Sequence, residues 1–364
     1  MQPAESGFGG TSGGIIKEAH LSEPTEQFTK RKRDHITSSL NQYSQVAEGA
    51  GFEKVNLLHE ALPDADFSDV GIETTLFNHR VKALYINSMT AGHDQGVEIN
   101  RTLAQASQKN KWVMGVGSQR RELTDKSARR EWIKIRELAP QALLIGNIGL
   151  AQAITCSTKE IQEIVDSLSA AALFIHTNPV QETLQAEGTP QFKGSLEALK
   201  RLCAELNVPV ILKETGCGFS PQTLKKLVGT GLYAVDISGY GGTHWGRVEG
   251  LRLPPEHPHH MASQTFANWG ISTVDSLLNA KSVQPDYKIW ASGGVRNGLH
   301  AAKCVALGAE MVGIAQPIMA AAIAGPEKLQ ATMEQFELTL KMAMYFSGHV
   351  NVDDFRKNVS YHLS

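Results

Sequence analysis

The apolar run "AALFI" (171–175) leads straight into "HTNPVQE" (176–182), and four of those seven residues can do chemistry. His176 can hold or release a proton near neutrality, Asn178 and Gln181 each offer an acceptor and two donors, and Glu182 is a hard anionic oxygen ligand. A polar loop capping a strand and broken by Pro179 would look similar in isolation. A second stretch, "KRKRDH" (30–35), crowds Arg31, Lys32 and His35 together. Guanidinium forks and an ammonium point charge complement a group with several anionic oxygens, such as a diphosphate. A solvated basic patch or a nuclear-localisation-like tract is the plainer explanation of the same run. A third stretch, "ASGGVRNG" (291–298), combines glycine N–H groups with Arg296, the makings of a phosphate grip. "GYGGTH" (239–244) adds permissive backbone and the Thr243 hydroxyl.

These groups meet only if a scaffold brings them to one surface. From residue 82 onward, short apolar runs recur eight times: "KALYINSMT", "KWVMGVGS", "ALLIGNIG", "AALFIHT", "VPVILKET", "LYAVDISG", "YKIWASGG" and "EMVGIAQ". Continuous apolar runs of this length suit strands buried on both faces of a parallel sheet. Helical patterns separate them. "STKEIQEIVDSLSA" opens with a Ser157…Glu160 capping box and places Ile161, Ile164, Val165 and Leu168 on one face. "SLEALKRLCAEL" repeats leucine at helical spacing, and "SPQTLKKLV" starts with Ser220 as cap and Pro221 in the first turn. Eightfold alternation predicts an α/β fold, a single (β/α)8 TIM barrel with an N-terminal extension. No GxGxxG follows the first strand and no GxxxxGK[ST] occurs, which argues against a doubly wound nucleotide fold.

In such barrels chemistry gathers at the C-terminal strand ends. Those ends read Met89-Thr90-Ala91, Ser118 to Arg120, Asn147, His176, Lys213-Glu214-Thr215, Ser238, Gly294 to Arg296, and Ala315-Gln316. Polar groups at every mouth favour a site over eight unrelated turns. The predicted layout is a mobile extension over 1–28, a clamp arm and lead-in over 29–81, the barrel over 82–346 and a C-terminal tail over 347–364. The long connection over 240–270 is expected to be an irregular lid or binding loop.

Composition narrows the class. The 364 residues are 41% hydrophobic and 20% charged, with a formal net charge of −2, so no global basic field recruits nucleic acid or anionic membrane. Cysteines at 156, 203, 217 and 304 form no CxxC pair, which disfavours a disulfide framework or structural zinc and fits a reducing cytoplasm. No apolar run is long enough to span a bilayer, and the N-terminus lacks the features of a secretion signal. "EHPHH" (256–260) has zinc-like residue types without a supporting spaced motif.

Taken in order, "RKRDH", "NSMTAG", "GVGSQR", "HTNPVQE", "LKETGCG", "GYGGTHW" and "ASGGVRNG" resemble the blocks of the type 2 isopentenyl-diphosphate isomerases, FMN-dependent flavoproteins of isoprenoid biosynthesis. The blocks span residues 31 to about 320. "HxNxxQE" with the N-terminal "RKxxH" is the specific part, whereas "SGGVR" is shared with other FMN barrels. The resemblance implies a barrel holding FMN, with Mg2+ and a reductant such as NADPH needed for activity. It places Met89, Thr90, Ala91, Ser118, Asn147, Lys213, Ser238 and Thr243 around the flavin, and Gly294, Arg296, Ala315 and Gln316 at its phosphate. Isopentenyl or dimethylallyl diphosphate would meet Arg31, Lys32, His35, Arg120, His176, Asn178 and Gln181. Gln181 and His176 would stand nearest the reaction, and Glu182 would hold Mg2+. A homo-oligomer, tetramer or larger, is implied as well. Ala91 departs from the family pattern, which usually has a second glycine or similar small residue there, and the extension before Arg31 is atypical.

Isomerising that alkene means protonating one carbon and deprotonating another. Gln181 and Asn178 are poor proton carriers, which points to reduced flavin as source and sink while Mg2+ and the basic clamp hold the diphosphate. One rival is an FMN-dependent 2-hydroxy-acid oxidase or dehydrogenase, which needs a His base beside an Arg carboxylate clamp. The stretches "LRLPPEHPHHMASQTF" and "NWGISTVDS" show no clear match to that pair. The other rival, a non-catalytic flavin-binding barrel, requires neither specific block.

Overall fold

The computed structural model describes residues 25–46, 49–89 and 95–364. Eight parallel strands close into a barrel: β1 (Leu84–Ile86), β2 (Val113–Gly115), β3 (Leu144–Gly149), β4 (Ala172–Thr177), β5 (Val210–Glu214), β6 (Ala234–Asp236), β7 (Lys288–Ala291) and β8 (Met311–Ile314). Each falls inside one of the eight apolar runs. The ring closes where β8 pairs with β1, Val312 opposite Leu84 and Ile314 opposite Ile86. Parallel strands wrapped by helices are buried on both faces, which is why the runs are continuous rather than alternating.

Inside the barrel, Tyr85, Val113, Ile145, Phe174, Ile211, Trp290 and Met311 fill the end nearest the strand N-termini. A hairpin, Glu73–Leu76 with His79–Lys82, feeds β1 and plugs that end with Leu76 and Val81. Its turn residues Phe77 and Asn78 both have positive φ, 49° and 63°, as a tight two-residue hairpin turn requires. With the lower end packed, only the upper end is left for chemistry.

The outer helices follow their sequence signals. Thr158–Leu168 carries the Ser157–Glu160 capping box, and Ile161, Ile164, Val165 and Leu168 are buried. Pro221–Leu227 is capped by Ser220, with Pro221 in its first turn. Three expectations need correction. Residues 25–28, assigned to a mobile extension, already belong to helix α1 (Thr25–Leu40), while residues 1–24 lie outside the described ones. The C-terminal tail is built into the fold: Val352–Asn358 is a helix, and Tyr361–Leu363 pairs antiparallel with Val55–Leu57. The connection over 240–270 is not irregular throughout. It holds two short helices, one at Trp245–Leu251 and one at Pro258–Thr265. Among the described residues, no helix is long and apolar enough to cross a membrane.

Candidate functional site

At the end of β4 the chain turns directly into α2 (Pro179–Leu184). Asn178 makes the turn: its Oδ1 accepts the Gln181 N–H (2.9 Å), with Pro179 in the first helical position. Its Nδ2 donates to Thr215 Oγ1 on the neighbouring strand end (2.6 Å). Asn178 is thus buried, and it is not among the residues that line the cavity. Its cap starts the helix that carries Gln181 and Glu182, and these line the cavity together with His176, which answers why a buried strand ends in so polar a stretch.

His176 Nδ1 lies 2.8 Å from Asn147 Oδ1 on β3. Asn147 spends its Nδ2 on the Val116 carbonyl (3.0 Å), so its Oδ1 must accept and His176 carries its proton on Nδ1. Burial, followed by the charges of Lys32, Lys213 and Arg120, pulls the imidazole pKa down to about 3. His176 is therefore neutral at pH 7, with a lone pair on Nε2. Glu182, beside it on the cavity wall, accepts the Thr189 N–H through Oε2 (2.6 Å).

Across the mouth, α1 brings Arg31, Lys32 and His35 to the cavity wall, and Arg120 reaches it from the end of β2. What holds α1 there is a residue that the sequence reading missed. Glu249, on α3 (Trp245–Leu251), is 1% exposed. Its Oε1 accepts from His35 Nε2 (2.9 Å) and from Gln181 Nε2 (2.8 Å), and its Oε2 accepts from Arg252 (2.6 Å). One carboxylate thus ties the clamp helix to the polar end of β4. Burial alone would raise the Glu249 pKa. His35, Arg252 and Gln181 outweigh that and hold it below the ordinary carboxylate range. Burial also keeps His35 neutral, with its pKa near 4, so His35 donates from Nε2–H as a neutral ring. Glu249 left only a weak trace in the sequence, since "EGLR" reads as a surface i,i+3 ion pair.

The opposite wall is built from the loops after β6, β7 and β8. Arg296 donates to Gln316 Oε1 (2.8 Å) and to Gln45 Oε1 (2.6 Å), and Gln45 Nε2 donates to Thr243 Oγ1 (2.9 Å). Gly242 and Gly294 let two backbones touch: a Cβ on Gly242 would sit 2.6 Å from the Gly294 nitrogen, and Gly294 itself has φ of +71°. Gly294, Ala315 and Gln316 face the same space. Met89, Ser118 and Ser238 line the side nearer the floor, and Lys213 forms the floor itself. Thr90 and Ala91 lie outside the described residues. In "EHPHH", His257 caps α4 (Pro258–Thr265), while His259 and His260 engage the backbone carbonyls of Leu184 and Gly250.

The two walls face one open cavity. Its donor set suits a flavin mononucleotide. Arg296, Gly293, Gly294 and Lys213 all line it, and Ser88 Oγ on the wall is buried without a hydrogen-bond partner among the described residues. An orphaned hydroxyl in a polar cavity fits a site that a ligand completes.

Fold and site together define an FMN-type α/β barrel, and the FMN-dependent dehydrogenase family matches residues 149–362. Solved mandelate oxidases share the fold: one, bound to (S)-mandelic acid, superposes with a TM-score of 0.62 at 17% identity, covering 92% of this chain and 97% of that one. Much closer in sequence is an isopentenyl-diphosphate delta-isomerase of Bdellovibrio bacteriovorus, 50% identical over 341 residues, 92% of this chain and 98% of that protein. Its namesake from Legionella pneumophila strain Lens is 49% identical over 91% of this chain and 97% of that protein, and the one from Oceanobacillus iheyensis is 36% identical over 91% and 95%. The chain belongs to the isopentenyl-diphosphate delta-isomerases, in their FMN-dependent type 2 form.

Proposed function

We propose that this protein isomerises isopentenyl diphosphate to dimethylallyl diphosphate with bound FMN, serving isoprenoid biosynthesis in the cytoplasm. The observation that carries the reading is the convergence of two distant segments. Glu249 fastens the cationic face of α1 to Gln181, so a polyanion clamp and the polar end of β4 form one wall. Arg31, Lys32 and Arg120 hold the diphosphate of the substrate. His176, neutral and with Nε2 free of its proton, gains that proton when diphosphate oxygens replace water beside it, because nearby negative charge favours the imidazolium. Glu182 holds Mg2+ against the diphosphate, in keeping with a cation that takes one or two carboxylates plus substrate phosphates. Arg296, Thr243, Gly294, Ala315 and Gln316 hold the FMN phosphate, while Lys213, Asn147, Ser118, Ser238 and Met89 surround its ring.

When bound and reduced by NADPH, FMN supplies the proton donor and acceptor for alkene transposition. Gln181, anchored by Glu249, orients the isoprenyl chain near the reacting carbons without exchanging protons itself. Exposed Met261, Phe266 and Trp269 support a homo-oligomer contact through the 258–269 segment. Isomerisation leaves substrate and product at one oxidation level, which separates this reading from the hydroxy-acid oxidase. Under anaerobic conditions with Mg2+ and NADPH enough to reduce FMN once, dimethylallyl diphosphate should accumulate far beyond the NADPH supplied. Product limited to one equivalent per NADPH overturns the isomerase. No product from a fully FMN-loaded protein leaves a non-catalytic flavin barrel.

A further inference from the structure

Beneath the cavity floor, Lys213 and Ser238 meet three residues that none of the roles above uses: Asp236, Tyr85 and Ser292. Asp236, the last residue of β6, is fully buried inside the barrel. Its Oδ2 accepts from Lys213 Nζ on β5 (2.8 Å), and Tyr85 on β1 donates its hydroxyl to the same oxygen. Ser292 Oγ, following β7, bridges both carboxylate oxygens (2.9 and 3.0 Å), and Oδ1 also accepts the Ser238 N–H (3.2 Å). Lys213 Nζ has two further contacts, the Glu214 carbonyl (3.2 Å) and Ser292 Oγ (3.3 Å). Lys213 is 2% exposed and lines the cavity.

An unpaired buried ammonium and an unpaired buried carboxylate are each costly. Each makes the other tolerable. The remaining titratable neighbours do not supply that balance. Burial, followed by Asp236, pushes the Tyr85 phenol well above its usual range, and burial likewise pushes up the Cys304 thiol behind the strands, so both are neutral. His176 is neutral too, and Glu214, whose side-chain oxygen accepts the N–H groups of Gly216, Cys217 and Gly218, has its pKa lifted to about 7 by burial. The donors of Tyr85 and Ser292, arriving from two other strands, fix where the carboxylate points and hence where the ammonium points.

We infer that Asp236 is a positioning residue for the flavin: it is the counter-charge that keeps Lys213 cationic and aimed at the cavity floor, with Tyr85 and Ser292 locking the pair in place. The inference rests on the reading that FMN lies over Lys213. Its consequence is that flavin affinity stays independent of pH across neutrality because Asp236 is present.

The test uses full-length wild type, Asp236→Asn, Lys213→Met and the double variant. FMN binding to the deflavinated proteins is followed by quenching of flavin fluorescence from pH 6 to 9. The expected result is a wild-type affinity that changes little, and an Asp236→Asn affinity that weakens about tenfold per pH unit once Lys213 loses its proton. Glu214 is present in both proteins, so the difference between their profiles belongs to Asp236. Parallel profiles for the two overturn the inference. Thermal unfolding checks the pair without flavin: the double variant should melt above either single variant, since it leaves no lone buried charge. This comparison also covers poor folding of Asp236→Asn, and additive losses again overturn the inference. Failure of the underlying reading looks different. A wild type that binds no FMN, or a Lys213→Met with wild-type affinity at every pH, removes the flavin from Lys213 and leaves the unfolding result to stand alone.

Discussion

Replacing Glu249 by glutamine tests the wall that joins the clamp to β4. The side chain keeps its shape, but one end now donates instead of accepting. The native carboxylate takes three donors: His35, Gln181 and Arg252. A glutamine oxygen facing Arg252 turns the amide NH2 against Gln181 Nε2, and the flipped amide turns it against the guanidinium. Either way one donor meets another in a nearly dry site. Neutral His35 can adapt by moving its proton to Nδ1, and Arg252 keeps Glu187 (2.8 and 3.2 Å). The net loss is therefore close to one charge-assisted hydrogen bond, about 2–3 kcal/mol. For a chain of this length that lowers Tm by about 3–4 °C. Activity should suffer more than stability, because an unanchored Gln181 no longer fixes the isoprenyl chain: kcat should fall roughly 10- to 100-fold. Differential scanning fluorimetry and anaerobic steady-state kinetics on the FMN-loaded variant measure both. A lower Tm with unchanged kcat would show that Gln181 needs no anchor, and an unchanged Tm would refute the network itself.

Three other perturbations follow from the same geometry. Arg296→Ala removes the guanidinium from the phosphate end, and the FMN dissociation constant should rise about 10- to 100-fold; full flavin retention after dialysis would place the phosphate elsewhere. Glu182→Gln keeps FMN bound but should raise the Mg2+ concentration for half-maximal activity about tenfold or more, since a hard anionic oxygen is lost; an unchanged Mg2+ titration rules out that role. Glu214 is held by three backbone N–H groups, yet burial, the larger effect, lifts its pKa to about 7 from 4.5. The native state then keeps a proton that the unfolded chain has lost. Its stabilising contribution, about 3 kcal/mol at most, is full below pH 4.5 and disappears as pH rises through 7. Denaturant unfolding of Glu214→Gln between pH 5 and 8 should lack that downward slope, and a slope equal to the wild type's would refute the assignment.

The barrel strands were legible because burial on both faces leaves an unmistakable apolar run, and the helix at 158–168 because its cap and apolar stripe agree. The helices over 240–270 were not legible. They are only seven and eight residues long, Gly246 and Gly250 interrupt the first, and both are capped by histidines, His244 and His257. Most of the proposed site could be listed from strand ends, since barrel topology converts sequence position into spatial position. Residues acting through a partner were harder to find. Asp236 did leave one signal, a lone carboxylate in the apolar run "YAVDI". Glu249 looked like surface, because its partners His35 and Gln181 lie 214 and 68 residues away.

The span between His35 and Glu249 also sets an order of events during synthesis. His35 on α1 leaves the ribosome 214 residues ahead of its anchor Glu249, a wait of about 10–40 s at ordinary elongation rates. The barrel closes later still, when β8 meets β1. Until then α1 lacks its Glu249 anchor and is a natural target for chaperones or proteases. A chain cut short before α3 would carry half a diphosphate clamp and nothing to close it. The capacity to bind substrate therefore reports that synthesis has passed β8 and the barrel has closed, and substrate will protect only closed barrels from degradation.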